Sequence, residues 1–246
     1  MGSAAFAQEE VNNTSGSPQF SHAFYANTGY ANYDLGELDA FLPNGAPQPV
    51  NHFSGLGIGV QHQIKGVMIS LSGERYNTVD GIPVVGNNAA ENDNYEVDGR
   101  SFKGMFKAGY AVVNNSNLRV FPMVGAGLQR FTMEITRNED FSPSDIDNSE
   151  MTGSEFNFQQ KNFVGEVSVG ADYIFGQKND EGSTKGMILG LRAGYHYALA
   201  NDNWQHGGGD VNNAPDFGTR GFYGKVVLGF GGTSNKMPSC KKWCGK

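Results

Sequence analysis

The segment His52-Phe53-Ser54-Gly55-Leu56-Gly57-Ile58-Gly59-Val60-Gln61-His62-Gln63-Ile64 decides the fold. Leu56, Ile58, Val60 and Ile64 share one parity, and Gly55, Gly57, Gly59, Gln61 and Gln63 share the other. Side chains of a strand point alternately to its two faces, so this is a strand with one apolar side and one side of small and polar groups. Lys65-Gly66 follows, a pair suited to a two-residue hairpin. The alternation then resumes, with Val67, Ile69 and Leu71 against Ser70, Ser72 and Glu74. Both arms exceed the roughly 5–6 residues of an ordinary globular strand. They reach the roughly 9–11 residues that a tilted strand needs to cross a bilayer.

Working outward from this hairpin, period-two alternation marks eight segments: Ser21–Tyr30, His52–Ile64, Val67–Tyr76, Ser101–Val112, Leu118–Met133, Asn162–Phe175, Gly186–Leu199 and Thr219–Phe230. The linkers 31–51, 65–66, 77–100, 113–117, 134–161, 176–185 and 200–218 alternate strictly between long and short. Asn114-Asn115-Ser116-Asn117 supplies turn chemistry to a second short link. Long loops on one side and short turns on the other are the habit of outer-membrane barrels. The expected fold is all-β: an eight-stranded antiparallel up-and-down transmembrane β-barrel with short periplasmic turns and long extracellular loops. An even strand count places both termini in the periplasm.

Composition agrees, provided it is read with the alternation. Only 38% of the 246 residues are hydrophobic, while Gly (35), Phe (17) and Tyr (10) are abundant. A mean hydropathy of −0.43 would suit a soluble protein, but it averages two opposed faces. No run approaches the roughly 18 apolar residues of a spanning helix. The net charge of −7, with scattered Lys and Arg, excludes a nucleic-acid footprint. Ala4-Ala5-Phe6-Ala7-Gln8-Glu9-Glu10 reads as the end of a secretory signal peptide cleaved after Ala7, with an ordinary frayed terminus as the alternative. The expected organisation is a leader remnant and tail over 1–19, a barrel over 20–231 and a polar periplasmic tail over 232–246.

The later strands repeat the two-faced pattern. Phe163, Val167, Val169, Ala171, Tyr173 and Phe175 oppose Glu166, Ser168, Gly170 and Asp172. Met187, Leu189, Leu191, Tyr195 and Tyr197 oppose Gly190, Arg192, Gly194 and His196; Phe222, Val226, Leu228 and Phe230 oppose Tyr223, Lys225 and Gly229. The rival is a soluble lipocalin-like calyx, in which the apolar face would turn inward. Strand length and loop alternation favour the membrane.

The Gly-rich aromatic phrases Gly104-Met105-Phe106-Lys107-Ala108-Gly109-Tyr110, Gly165-Glu166-Val167-Ser168-Val169-Gly170-Ala171-Asp172-Tyr173 and Gly190-Leu191-Arg192-Ala193-Gly194-Tyr195, with a closing Phe230, carry a family likeness. The chain resembles the eight-stranded outer-membrane proteins of the OmpA-transmembrane-domain and OmpX type, closest in flavour to the outer membrane beta-barrel group of Bacteroidota. The resemblance spans about Phe20 to Gly231. It implies a Gram-negative outer-membrane protein embedded in lipid and lipopolysaccharide, expected to be monomeric, and it says almost nothing about activity.

Candidate functional residues fall into four sets. Glu74, Lys103, Lys107, Glu166, Asp172, Arg192, His196 and Lys225 lie on the polar face and are expected to point into the lumen. Buried charges must pair, so the expected outcome is a network that plugs the interior; the alternative is a gate in a small ion-conducting channel. His52 and Ser54, two apart on the apolar-face side, resemble the His-x-Ser element of lipid A deacylases, but no acid partner is evident and no enzyme is expected. The segment Glu134–Lys161, with Asp145, Asp147 and Glu150, reads as solvated loop charge rather than a calcium loop. Trp204 with Gly207-Gly208-Gly209-Asp210 reads as a contact surface or as flexible filler. Cys240 and Cys244 are disulfide candidates, and no metal or cofactor is expected. An extracellular ligand or envelope partner would meet the long loops.

Overall fold

The structure, a computed structural model, describes residues 18–35, 51–79, 95–141, 153–178, 183–211 and 219–234. Eight long strands follow in order: β1 (Phe20–Asp34), β2 (His52–Ile64), β3 (Val67–Thr78), β4 (Tyr95–Tyr110), β5 (Leu118–Phe141), β6 (Gly153–Lys178), β7 (Thr184–Asn201) and β8 (Arg220–Ser234). Three two-residue pieces, Val113–Asn114, Gln205–His206 and Gly209–Asp210, complete the sheet. Each long strand pairs antiparallel with its sequence neighbour, and β8 pairs with β1 from Phe20↔Ser234 to Asp34↔Arg220. The sheet is thereby closed into an up-and-down barrel.

The burial pattern is inverted with respect to a water-soluble barrel. Leu56 is 70% exposed, Leu128 71% and Phe230 67%, whereas Lys103, Arg119 and His196 are wholly buried. The aliphatic and aromatic face therefore looks outward all around the barrel, far beyond the few hundred Å² of apolar patch that soluble monomers show. A calyx lined by aliphatic residues is ruled out. Among the described residues no helix is long and apolar enough to cross a membrane, which has no bearing on strands.

At the turn end, Lys65 and Gly66 both adopt positive φ (50° and 87°), the requirement of a tight two-residue hairpin whose twist matches its strands. The Lys65 amide donates to the Gln19 carbonyl, and the Gln19 amide to that of Ser234. The two ends of the barrel segment thus meet beside the short turns.

The strands outrun their expected limits. β1 continues to Asp34 rather than Tyr30, β3 to Thr78 rather than Tyr76, and β4 begins at Tyr95 rather than Ser101. β5 continues to Phe141 and β6 begins at Gly153, well past Met133 and Asn162; β8 runs to Ser234, past Phe230. In the extensions of β5 and β6 polar residues stand at both odd and even positions of the sequence. The hydrogen-bond ladder continues there after the alternation in hydropathy has stopped.

Candidate functional site

The lumen is the chemically distinctive part of the molecule, and it is layered. Inward positions near the turn end form small apolar clusters, Met68, Ala111, Phe121 and Met123 on one side and Ala23, Ile174 and Ile188 on the other. Asp172 of β6 is the next inward residue after Ile174. Arg119 of β5 donates to its Oδ2 at 3.1 Å, Gln61 of β2 donates to the same oxygen at 3.2 Å, and Arg192 of β7 forms an ion pair with Oδ1 at 2.6 Å. Arg119 also donates to the Ser21 hydroxyl, and the Arg192 guanidinium lies 4.7 Å from the Phe121 ring centre.

The next layer joins five charges. Lys225 of β8 donates to both Glu74 oxygens at 2.7 Å, and Lys107 of β4 donates to Glu166 Oε1 at 2.5 Å. Lys103 lies between the two carboxylates, 3.6 Å from Glu74 and 3.4 Å from Glu166. The Tyr76 hydroxyl donates to Glu74 at 3.2 Å, and the Tyr223 hydroxyl donates to Glu166. The Tyr223 ring faces Lys225 Nζ at 4.0 Å and Lys103 Nζ at 5.2 Å, so its π-face shares in holding the ammonium groups. Charge-assisted bonds of this kind are needed because an isolated ion in so dry a place costs several kcal/mol or more. The glycines opposite make room: a Cβ on Gly170 would fall 2.5 Å from Phe121 and 2.8 Å from Arg192.

Toward the loop end the lumen turns aromatic. Tyr33 packs on Phe53 (4.7 Å between ring centres), Phe53 on Phe131 (6.0 Å) and Phe131 on Trp204 (6.1 Å). All four are almost completely buried. Trp204 comes from the segment after β7, where Gly207 and Gly208, both at positive φ, turn a small hairpin whose first arm pairs with Phe158 and Gln159 of β6. This segment is therefore a built part of the barrel mouth, and Trp204 is 2% exposed rather than a surface contact.

All eight sequence-derived polar residues, Glu74, Lys103, Lys107, Glu166, Asp172, Arg192, His196 and Lys225, face the interior. Seven form ion pairs; His196 instead packs edge-on against Tyr33 at 4.8 Å, and neither of its ring nitrogens has a hydrogen-bond partner among the described residues. Sequence reasoning missed Arg119 and Tyr76, and placed Gln61 and Tyr223 on the polar face without joining them to the network. Arg119 had a readable signal, since it sits between the outward Leu118 and Val120. With it, the described residues place three acids and five strong bases in the interior.

His52 and Ser54 lie at the loop end of β2, outside the lumen. The Tyr30 hydroxyl hydrogen-bonds His52 Nδ1 and the two rings stack at 5.5 Å. No ion pair joins His52 to a carboxylate among the described residues. Cys240, Cys244, Asp145, Asp147, Glu150 and the segment before Pro18 lie outside the described residues. Among the described residues no group of three or more His, Cys, Asp or Glu could hold a metal ion.

No family model matches the chain, and no curated protein matches it. Solved structures do. Ail, the attachment invasion locus protein of Yersinia pestis, is 5% identical with a TM-score of 0.45, covering 87% of this chain and 99% of that one. Neisserial surface protein A is 14% identical at a TM-score of 0.40, covering 90% and 99%. A major outer membrane protein of Thermus thermophilus is 13% identical at 0.42, covering 86% and 98%. The likeness is one of architecture. The chain's own strand pairing makes the fold an eight-stranded antiparallel β-barrel.

Proposed function

We propose that the protein is an integral component of a bacterial outer membrane, turn end to the periplasm and loop end outward. Its barrel acts as a sealed anchor for the extracellular face, not as a channel or an enzyme. One observation carries this reading: the apolar face is turned out while Glu74, Glu166, Asp172 and the cations Lys103, Lys107, Arg119 and Lys225 are buried within, and the Arg192 side chain is only 12% exposed. That arrangement is stable only if hydrocarbon surrounds the barrel and the interior is closed to bulk water. Eight strands enclose a space that side chains fill, and here the filling is ionic at mid-height and aromatic at the mouth. The surface left for recognition is the set of long connections at the loop end.

The membrane part is tested by heat-modifiable migration of detergent-extracted protein on SDS gels. A single heat-independent band, with the protein in the periplasmic fraction, would defeat the reading. The seal is tested in planar bilayers, where no steady single-channel current is expected. A current that changes when Arg192 or Lys225 is neutralised would establish a conducting pore instead.

A further inference from the structure

Followed from the turn end along the outward face, β3, β4, β5 and β6 each pass through an uncharged stretch before a charged residue appears, whereas β7 starts on the exposed Lys185 and carries no further outward charge. On β3 the outward residues run Val67, Ile69, Leu71, Gly73, then Arg75; on β4 they run Tyr110, Ala108, Phe106, Gly104, Phe102, then Arg100. On β5 the first charge is Arg130, after Val124, Ala126 and Leu128; on β6 it is Lys161, after Val167, Gly165 and Phe163. Four consecutive strands thus end their apolar band on a cation, and all four cations are exposed.

The rest of the rim does not share this. β1 ends on Asp34, which pairs with Arg220 of β8 at 3.0 Å, and β2 ends on Ser54 and His52. Within the basic sector Arg100 meets Glu134 at 3.3 Å, while Arg75, Arg130 and Lys161 form no ion pair among the described residues. Arg130 stands directly opposite Lys161 in the β5–β6 register. Like charges so placed, their Cβ atoms about 5 Å apart, destabilise a sheet unless an anion lies between them. Arg75 is two strands from Arg130, across Phe102. At about 4.8 Å per strand, long side chains can converge there on one anionic headgroup.

We infer that this rim of β3–β6 binds the phosphate groups of a phosphorylated glycolipid in the surrounding leaflet, with Arg75, Arg130 and Lys161 as the principal contacts and Arg100 as a fourth. A lipid is the matching occupant because the cations stand immediately above the acyl-facing band. Just below them Gly73 and Gly104 lie side by side on the outer face, and a Cβ added to either would meet nothing within 4 Å. A chain hanging from the bound phosphate has open space to lie in. The inference rests on the membrane reading above and names which lipid chemistry the barrel prefers, and where.

The full chain is refolded in detergent micelles, its barrel verified by heat-modifiable migration, and titrated with diphosphoryl lipid A and with the same lipid stripped of phosphate. An exposed ion contact is worth a factor of up to about five in affinity. The triple variant Arg75→Gln, Arg130→Gln, Lys161→Gln should therefore bind diphosphoryl lipid A at least about threefold, and up to about a hundredfold, more weakly. Arg220→Gln, remote and already paired, should change affinity less than about twofold. Equal binding of the two lipids, or unchanged binding by a folded triple variant, overturns the inference and leaves the membrane reading intact. Displacement by inorganic phosphate at concentrations matching the lipid's would also overturn it, in favour of a simple ion site. A wild-type chain showing no heat-modifiable barrel would overturn both.

Discussion

Replacing Glu166 by Gln is the sharpest probe of the lumen. The carboxylate is 2% exposed and is held by Lys107 at 2.5 Å, Lys103 at 3.4 Å and the Tyr223 hydroxyl. Lys103 keeps Glu74 at 3.6 Å, but Lys107 has no other carboxylate partner among the described residues. The variant thus leaves one buried ammonium without its counter-ion, a change that costs about 3–5 kcal/mol. Removing both partners, as in Glu166→Gln with Lys107→Met, takes away the stranded charge. A buried pair exchanged for uncharged groups of similar volume is often neutral, so the double variant should recover most of the loss. The assay is urea unfolding of the barrel in phospholipid vesicles, followed by heat-modifiable mobility, with all four members of the cycle compared at equal slope. A single-variant loss below about 1 kcal/mol, the range of a solvated surface pair, would refute the reasoning. It would mean that water reaches Lys107 and that the interior is wet.

Three further outcomes are expected. Leu191 is 61% exposed in the middle of the outward run of β7, so Leu191→Arg should cost about 2–4 kcal/mol in vesicles; a cost within about 0.5 kcal/mol, as on a water-facing surface, would contradict immersion in lipid. In a Trp243→Phe background, emission from Trp204 should be blue-shifted and poorly quenched by acrylamide, because its ring is buried beside Phe131; red, fully quenched emission would show the mouth to be open. Ser54→Ala should leave the acylation pattern of co-expressed lipid A unchanged, since Tyr30 already engages His52; a shift in that pattern by mass spectrometry would revive the hydrolase.

The sequence made the barrel readable wherever two unlike environments flank a strand. β2 was readable to the residue, His52–Ile64, because lipid on one side and a crowded lumen on the other imprint opposite chemistries on successive positions. The same phase assigned Glu74, Glu166 and Lys225 to the interior. What it could not give were pairings, because lumen partners come from strands distant in the chain: Lys225 meets Glu74 across 151 residues. It also failed where the outward face turns polar like the inner one. Arg100 and Lys161 stand just beyond the alternating cores of β4 and β6 and read as loop, which hid the basic rim. Tyr33 and Trp204 were hidden for a related reason: each enters the mouth from outside the strand limits that hydropathy marks.

The seam between β1 and β8 joins the first and last strands of the barrel, Phe20 opposite Ser234. No earlier pairing can substitute for it, so the cylinder cannot shut until the chain has been made as far as Ser234. Until then two bare margins are on offer to any neighbouring chain, and the long-range character of the final step makes it slow. Such a protein has to be escorted while open. Once zipped it has no frayed flank from which unravelling could start, so its persistence in the envelope is set by the rate of breaking that seam.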